Sequence, residues 1–255
     1  YDDSPESRVF EEMVRNLYAH HPLREPIAGT VESIQGITAE TLYTCYRAFY
    51  RPENMILCVA GDVDEGEVLA LAEELTPARS GLAVEKDLGP EETLTCTEHL
   101  TTLQMDVAMP SFQLGFKCPA GLTGAEFAHW ELIAELACEA LMGESSELYL
   151  RLYEEGLIDT SFGGGFETID GSAMVLAVGD SDYPEEVRDA IIEEAQRLAD
   201  TGISEEEFRR MIRSFLGRRV KDLDSFESEC FRICAYHWEG FDYLSFPEHF
   251  ENVSR

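Results

Sequence analysis

The spacing of apolar residues changes along this chain from helical to alternating and back again. Up to about residue 75, apolar side chains mostly recur every three or four residues, as on one face of a helix. Leu103 to Met109 and Phe112 to Phe116 instead alternate with polar or small residues, which is typical of half-buried strands. Helical spacing returns from Phe127 onward, interrupted by a predicted strand pair at 160–166 and 172–178. This order predicts an α+β fold with helices packed on one face of a mostly antiparallel sheet.

Two such lobes are predicted, because a strand followed by acidic residues and a helix occurs twice. Met55 to Ala60 is predicted to be a buried strand, and residues 174–180 repeat its pattern. Residues 76–90 lack periodicity and contain two prolines and two glycines, which favours a linker. The predicted boundaries are 1–78 for an incomplete first lobe, 79–92 for a linker and 93–255 for a homologous second lobe. Because Val253-Ser254 resembles the start of a capped helix, the second lobe is expected to be truncated at its C-terminal end.

Acidic residues outnumber basic ones by 51 to 19, and the formal net charge is −32. A surface of this sign repels phosphates and anionic lipids, so neither nucleic acid nor a membrane is expected as a partner. No stretch approaches the roughly 18 uncharged apolar residues of a membrane span. The seven cysteines are dispersed and mostly surrounded by apolar residues. Such cysteines are typical of reduced, buried thiols, which favours a cytoplasmic protein.

No complete catalytic or metal-binding motif is present in the residues themselves. None of the six histidines belongs to a His-x-x-x-His, His-Glu-x-x-His or inverted His-x-x-Glu-His pattern. Cys230 and Cys234 are spaced to share a helix face, but no second pair or nearby histidine completes a zinc site. The run of glycines at 163–165 has no following Lys-Ser or Lys-Thr, so it predicts a bulge or a close backbone approach instead of a phosphate loop.

A more specific pattern extends from Tyr18 to Val68. This segment reads YAHHPLREPIAGTVESIQGITAETLYTCYRAFYRPENMILCVAGDVDEGEV. Its elements, in order, are His-Pro at 21–22, Pro-Ile-x-Gly-Thr at 26–30, Ile-x-x-Ile-Thr at 34–38, Tyr-x-Pro-x-Asn-Met at 50–55 and Gly-Asp-Val-Asp at 61–64. The series resembles the second half of the N-terminal domain in the insulinase/pitrilysin family of inverted-motif zinc metallopeptidases. Within that family, the chain is most similar to a bacterial subgroup of uncharacterised zinc-dependent peptidases.

The resemblance implies a peptidase whose two lobes close around an extended peptide substrate, which adds as a strand to a sheet edge. In the family, Zn²⁺ is bound by His-x-x-Glu-His and by a distant Glu, and these ligands precede the segment that resembles this chain. The resemblance therefore implies that zinc is bound in the full-length protein by residues outside this chain, and that the isolated chain is an inactive fragment. The alternative is a non-catalytic scaffold of the same fold, which would pair with a second peptidase-like subunit.

Two substrate-binding residues follow from the same resemblance. Many family members position substrate with an Arg and a Tyr in the pattern Leu-Arg-x-x-x-Gly-Leu-x-Tyr. The matching run here is residues 152–159, LYEEGLID, with Tyr153 where Arg is expected and Asp159 near the expected Tyr. Arg151 lies two positions before Tyr153. Arg151 and Tyr153 are therefore the candidate substrate-binding residues, and a purely structural role for both is the alternative.

Overall fold

The computed structural model describes residues 4–77 and 86–254, so residues 79–85 of the predicted linker lie outside the described ranges. The described helices and strands occur in the order α1 Pro5–Leu17, α2 Val31–Gln35, α3 Ala39–Phe49, α4 Glu65–Leu75, β1 Ser111–Lys117, α5 Gly124–Met142, α6 Glu147–Glu154, β2 Gly163–Ile169, β3 Ser172–Asp180, α7 Pro184–Thr201, α8 Glu205–Asp222, α9 Phe226–Trp238 and α10 Phe246–Val253. This is the α+β composition that the sequence predicts. Each described helix is too short or too polar to cross a lipid bilayer.

The three strands form an antiparallel sheet with the order β1-β3-β2. In this sheet, Leu176 of β3 lies between Gly115 of β1 and Gly165 of β2. Neighbouring side chains of β3 point to opposite faces, as the pleat requires. Ala177 is completely buried beneath the helical layer, whereas Met174 is completely buried against α1. The sheet therefore separates α5, α6 and α7 on one face from α1 on the other.

The largest core cluster fills the space between the sheet and α5, α6 and α7. Its most deeply buried members are Met142, Leu148, Leu152, Ala177, Val187 and Ile191. Each of the larger aliphatic side chains contributes about 1.5–3 kcal/mol by leaving water. A second cluster joins α5 to α8 and α10 through residues such as Leu136, Met211 and Phe250. Because α5 belongs to both clusters, it is apolar around much of its circumference and forms the centre of the second lobe.

Helix α1 packs directly on the sheet of the predicted second lobe, although the predicted boundary assigns α1 to the first. Val14 and Tyr18 are almost completely buried there, and the Tyr18 hydroxyl donates a hydrogen bond to the Ala173 carbonyl at 3.3 Å. A Cβ on Gly115 would lie 2.4 Å from Met13 Sδ and 2.6 Å from Leu17 Cδ1. Glycine at this position of β1 is therefore what allows α1 to approach the strand so closely.

The end of the predicted linker is attached to this same region through the Glu92 carboxylate. Oε1 of Glu92 accepts hydrogen bonds from the backbone N–H groups of His20 at 2.5 Å and His21 at 2.9 Å. Oε2 accepts from the Ala19 N–H at 3.1 Å and from Lys117 Nζ at 3.0 Å. Burial tends to raise the pKa of Glu92, but the four donors outweigh it and lower this pKa to about 2.

The glycine run on β2 confirms the predicted close backbone approach and excludes the bulge. Gly163, Gly164 and Gly165 pair with three consecutive residues of β3 in an uninterrupted register. A Cβ on Gly164 would lie 2.5 Å from Met142 Cε and 2.6 Å from the Leu176 carbonyl oxygen. At Gly163 and Gly165 a Cβ would meet no atom of residues 4–77 or 86–254 within 4 Å, so these residues leave that part of the opposite sheet face uncovered.

The strands predicted at residues 55–60 and 103–109 are wrong. Neither segment pairs with another strand within the described residues. Residues 103–109 and 55–60 carry the expected alternation, yet both lack regular structure. In the second segment, Met55, Leu57 and Val59 are exposed, while the residues between them are half-buried. Alternation specifies which side chains share a face, but a strand also requires a neighbouring backbone with which to form hydrogen bonds.

The helix start predicted at Val253-Ser254 is also wrong. Val253 is the last residue of α10, and the Ser254 N–H donates to the Phe250 carbonyl at 3.1 Å as a C-terminal cap. Phe246 and Phe250 are buried on one face of α10 and hold it against α5 and α8. The Val-Ser pair therefore closes a helix, since its apolar residue continues the buried face of the preceding turn.

Candidate functional site

The predicted substrate-binding residues lie on α6, a short helix that packs on the largest core cluster. Its N-terminus is capped by Ser146, whose hydroxyl accepts a hydrogen bond from the Tyr149 N–H at 3.1 Å. Leu148 and Leu152 are almost completely buried and fix the inward face of the helix. This orientation leaves Arg151 and Tyr153 exposed to solvent.

Tyr153 is the exposed end of a row of aromatic rings. Its ring stacks on Tyr149 with centroids 6.1 Å apart and an interplanar angle of 8°. The row continues from Tyr149 to Phe162 at 6.0 Å and from Phe162 to Phe112 at 6.4 Å. Tyr153 retains 49% of its accessible surface. Stacking on the Tyr149 ring orients the Tyr153 side chain, which presents a half-exposed aromatic surface to the solvent.

Arg151 contributes instead to a charged cluster between α6 and α7. Arg197 donates hydrogen bonds to both carboxylate oxygens of Glu194, at 2.9 and 2.5 Å, and a third to Glu147 at 3.1 Å. The pKa of Glu194 is lowered chiefly by the Arg197 hydrogen bonds, which outweigh the opposing effect of burial, with further help from the charges of Arg197 and Arg151. The hydrogen bonds of this cluster are made by Arg197, and Arg151 adds its charge to the cluster.

The structure does not bring Arg151 and Tyr153 together on one surface. Residues two apart on a helix are separated by about 200° around its axis. Asp159, near the position where the family pattern has Tyr, accepts a hydrogen bond from the Ser161 N–H at 2.7 Å and stabilises a turn. Tyr153 is thus the residue of this set best placed to contact a ligand.

A second group of polar residues lies inside the helical layer, where α5, α8 and α9 meet. Arg219 of α8 donates to the two carboxylate oxygens of Glu135 at 3.4 and 3.3 Å and to the Tyr236 hydroxyl at 3.3 Å. The Tyr236 hydroxyl in turn donates to Glu131. Burial raises the pKa of Glu131 to about 7, against the lowering effect of the Tyr236 hydrogen bond. The network therefore joins three helices through buried polar groups, and burial raises the pKa of Glu131, Glu135 and Tyr236.

A small cavity of about 20 Å³ adjoins this network. Tyr243 Oη and His249 Nε2 are buried without a hydrogen-bond partner among the described residues, and both residues line the cavity. The space is sufficient for one water molecule and is much too small for a peptide. The network is therefore interpreted as a structural element that holds α5, α8 and α9 together.

No group of three or more His, Cys, Asp or Glu side chains within residues 4–77 and 86–254 is arranged to hold a metal ion.

Comparison with protein families identifies the chain. Residues 36–215 match the family described as the peptidase M16 inactive domain. The chain belongs to the M16 peptidase family. This M16 chain is 33% identical over 230 residues to the uncharacterized zinc protease YmfH of Bacillus subtilis (strain 168), covering 88% of this chain and 53% of YmfH. It is 26% identical to the uncharacterized zinc protease ML0855 of Mycobacterium leprae (strain TN), covering 91% of this chain and 52% of that relative.

Solved structures share the fold of the M16 chain. An M16-like peptidase from Alicyclobacillus acidocaldarius superposes with a TM-score of 0.83 at 30% identity, over 93% of this chain and 57% of that one. A protease from Helicobacter pylori also gives a TM-score of 0.83, over 99% of this chain and 62% of that one, and its 16% identity shows the fold alone. These findings confirm the predicted family and α+β class. The M16 chain spans about half the length of the curated relatives described above.

The sequence prediction missed the Glu131, Glu135, Arg219 and Tyr236 network of this M16 chain, although signals for it exist. Glu131 and Glu135 are four residues apart and so share one helix face. Arg219 falls within the apolar stripe of α8, where a charged residue must find a buried partner. Only the tertiary structure shows that these faces meet, and that Tyr236 lies between them.

Proposed function

We propose that this chain is part of a zinc-dependent peptidase that cleaves peptides between two lobes. In this proposal the chain helps to hold the substrate and does not contain the residues that bind zinc. The matched family is the inactive domain of the M16 peptidases, and the relatives named above are zinc proteases by name. In this proposal residues 1–78 are half of the first lobe, 93–255 form most of the second, and the Zn²⁺ ligands belong to the other half of the first lobe. A reducing compartment such as the cytoplasm suits its seven free thiols.

One observation carries the proposal: the segment 27–75 does not bury its own apolar residues. Its exposed large apolar side chains are Ile27, Val31, Ile34, Ile37, Leu42, Tyr43, Tyr46, Phe49, Tyr50, Met55, Leu57, Val59, Val63, Leu69, Leu71 and Leu75. No residue of α2, α3 or α4 is buried. Proteins rarely leave so many large apolar side chains of one segment uncovered in water, so this segment is expected to lie in a large interface.

The zinc-ligand half of the same lobe is the partner that fits this surface. The segment 55–60 has the alternation of a strand and lacks a strand partner within the described residues. A sheet supplied by the covering polypeptide would pair with it and bury the apolar faces of α3 and α4 at the same time. Such an arrangement would place the zinc ligands across from the second lobe, with the peptide between them.

The decisive experiment compares this chain with a longer polypeptide that includes the His-x-x-Glu-His segment. Zinc is measured by atomic emission after dialysis, and hydrolysis is followed with a quenched fluorescent peptide. We expect the longer protein to hold one zinc per chain and to lose activity with a chelator. The isolated chain is expected to show neither zinc nor hydrolysis. One tightly bound zinc in the isolated chain would refute the proposal.

The alternative is a non-catalytic partner subunit, and the residues at positions 153 and 159 favour it. Tyr153 and Asp159 depart from the Arg and Tyr of the family pattern. The same fold also occurs in a solved structure of complex III2 from Candida albicans, at a TM-score of 0.69 and 15% identity. A longer protein that holds no zinc but co-purifies with a second M16 subunit would support this alternative.

A further inference from the structure

Cys96 and His99 form a thiol–imidazole pair in the segment that joins the predicted linker to β1. The Sγ atom of Cys96 lies 3.3 Å from Nδ1 of His99, so the two groups share a hydrogen bond. Cys96 is half-buried, whereas His99 is exposed to solvent. A thiol and a base within hydrogen-bond reach are the two groups that an activated cysteine nucleophile requires.

Hydrogen bonds on both sides of Cys96 hold this pair in place. Lys117 Nζ donates to the Thr95 carbonyl at 3.3 Å. The Thr97 N–H donates to the Asn16 carbonyl at 2.6 Å, and the Thr97 hydroxyl donates to the same oxygen at 2.8 Å. Cys96 itself packs against the core cluster between α1 and the sheet. The thiol therefore has a fixed position at the edge of a core, next to an exposed imidazole.

Exposure alone would select a different cysteine as the reactive one. Cys45 on α3 is the exposed thiol of the chain, while the other six cysteines are half-buried or buried. A cysteine reacts through its thiolate, so a base that removes the thiol proton can outweigh a difference in exposure. Exposure therefore predicts that Cys45 reacts first, and the Cys96–His99 geometry predicts that Cys96 does.

We infer that Cys96 is a modification site at which small-molecule disulfides react selectively, with His99 as the base. Nδ1 of His99 accepts the proton of the Cys96 thiol, and the thiolate attacks one sulfur of the disulfide. A bond forms between Cys96 Sγ and that sulfur while the disulfide bond of the reagent breaks. The released thiolate leaves with the electron pair and takes the proton from His99. One thiol is consumed and one is released, so the exchange needs no further oxidant or reductant.

The charge of the chain determines which disulfides the site should take. A formal net charge of −32 repels anionic reagents. Glu98 lies between Cys96 and His99 in the sequence and adds a negative charge locally. Neutral or cationic disulfides are therefore the expected class. The inference concerns residues of this chain alone and does not depend on bound zinc or on peptidase activity.

The test treats the 255-residue chain with bis(2-hydroxyethyl) disulfide, which is neutral, and blocks the remaining thiols with iodoacetamide at successive times. The chain is then digested with trypsin without reduction. Tryptic peptides 87–117 and 25–47 contain one cysteine each, Cys96 and Cys45, so mass spectrometry gives both rates from one digest. We expect Cys96 to react about tenfold faster than Cys45.

The variant H99N separates the effect of the imidazole from that of the surroundings. It should slow the reaction at Cys96 about tenfold and leave the rate at Cys45 unchanged, with circular dichroism confirming that the variant is folded. The matched control H129N replaces an exposed histidine of α5 and should change neither rate.

Unfolding the wild-type chain in concentrated urea provides the second control. The rates at Cys96 and Cys45 should then agree within about twofold, because the fold no longer holds the imidazole against the thiol. Faster reaction at Cys45 than at Cys96 in the folded chain would overturn the inference. An unchanged rate at Cys96 in H99N, or a tenfold preference for Cys96 that persists in urea, would overturn it as well.

Discussion

Replacing Glu92 with Gln tests whether a single carboxylate fastens the linker to the rest of the chain. The two side chains have the same shape, so the replacement changes charge and hydrogen bonding without leaving a cavity. Glu92 accepts hydrogen bonds from three consecutive backbone N–H groups and from Lys117. The amide of Gln offers one acceptor oxygen, so its NH₂ group must point at two of these four donors.

Two independent estimates give the size of the effect. Hydrogen bonds to a charged group contribute about 1.5–3 kcal/mol each in the favourable case, and they are not additive. The substitution also leaves Lys117, whose side chain is only 4% exposed, without its carboxylate. A fall in the pKa of Glu92 from 4.5 to about 2 corresponds to at most about 3 kcal/mol. Allowing for solvent screening, we expect E92Q to lose about 2 kcal/mol of stability at pH 7.

The pH dependence has a definite sign. Because the pKa of Glu92 is lower in the folded chain than in the unfolded one, its contribution is complete well above pH 4.5 and disappears as the pH falls toward 2. The difference between wild type and E92Q should therefore shrink by about 1 kcal/mol between pH 7 and pH 4.

Urea unfolding followed by far-ultraviolet circular dichroism measures both quantities. E91Q is the matched control, since Glu91 is the exposed neighbour in sequence and its replacement removes the same formal charge. Equal stability of E92Q and E91Q at pH 7 would refute the reasoning. A deficit in E92Q that stays constant on acidification would show that lost packing, and not the charge of Glu92, is responsible.

Three further predictions address the sheet, the buried network and α6. G164A should lose about 1–3 kcal/mol of stability in thermal unfolding, because its Cβ would lie 2.6 Å from the Leu176 carbonyl oxygen. The control G165A should change stability by less than about 0.5 kcal/mol, because a Cβ on Gly165 would meet no described atom within 4 Å. E131Q should be more stable than wild type by about 2 kcal/mol in urea unfolding at pH 8, and the two should be equally stable below pH 5. The reason is that the pKa of Glu131 is raised to about 7 in the folded chain, so the wild type loses stability as the pH rises from 4.5 through 7. A difference in stability that does not depend on pH would contradict this. In the longer, zinc-binding protein, Y153A should raise the KM for a peptide about threefold to tenfold without changing thermal stability. The control L150A, at a similarly exposed position of α6, should leave this KM unchanged. Equal effects of the two substitutions on KM would show that Tyr153 makes no specific contact with the peptide.

Local features of this chain could be predicted from the sequence because they depend on neighbours in the sequence. Thr38, Ser146 and Ser204 each cap the N-terminus of a helix, and a hydroxyl three residues before a free N–H needs no tertiary partner. The alternation from Phe112 to Phe116 produced β1, and the motif series from Tyr18 to Val68 was specific enough to predict the family.

Features that depend on distant neighbours were decided only by the tertiary structure. Residues 55–60 and 112–116 both alternate, yet only the second segment forms a strand, because β3 lies beside it and supplies hydrogen-bond partners. The same dependence explains why Arg219 finds Glu135 and why Glu92 reaches the N–H groups at 19–21. An apolar or charged pattern specifies what a residue requires, and the fold determines which distant residue satisfies that requirement.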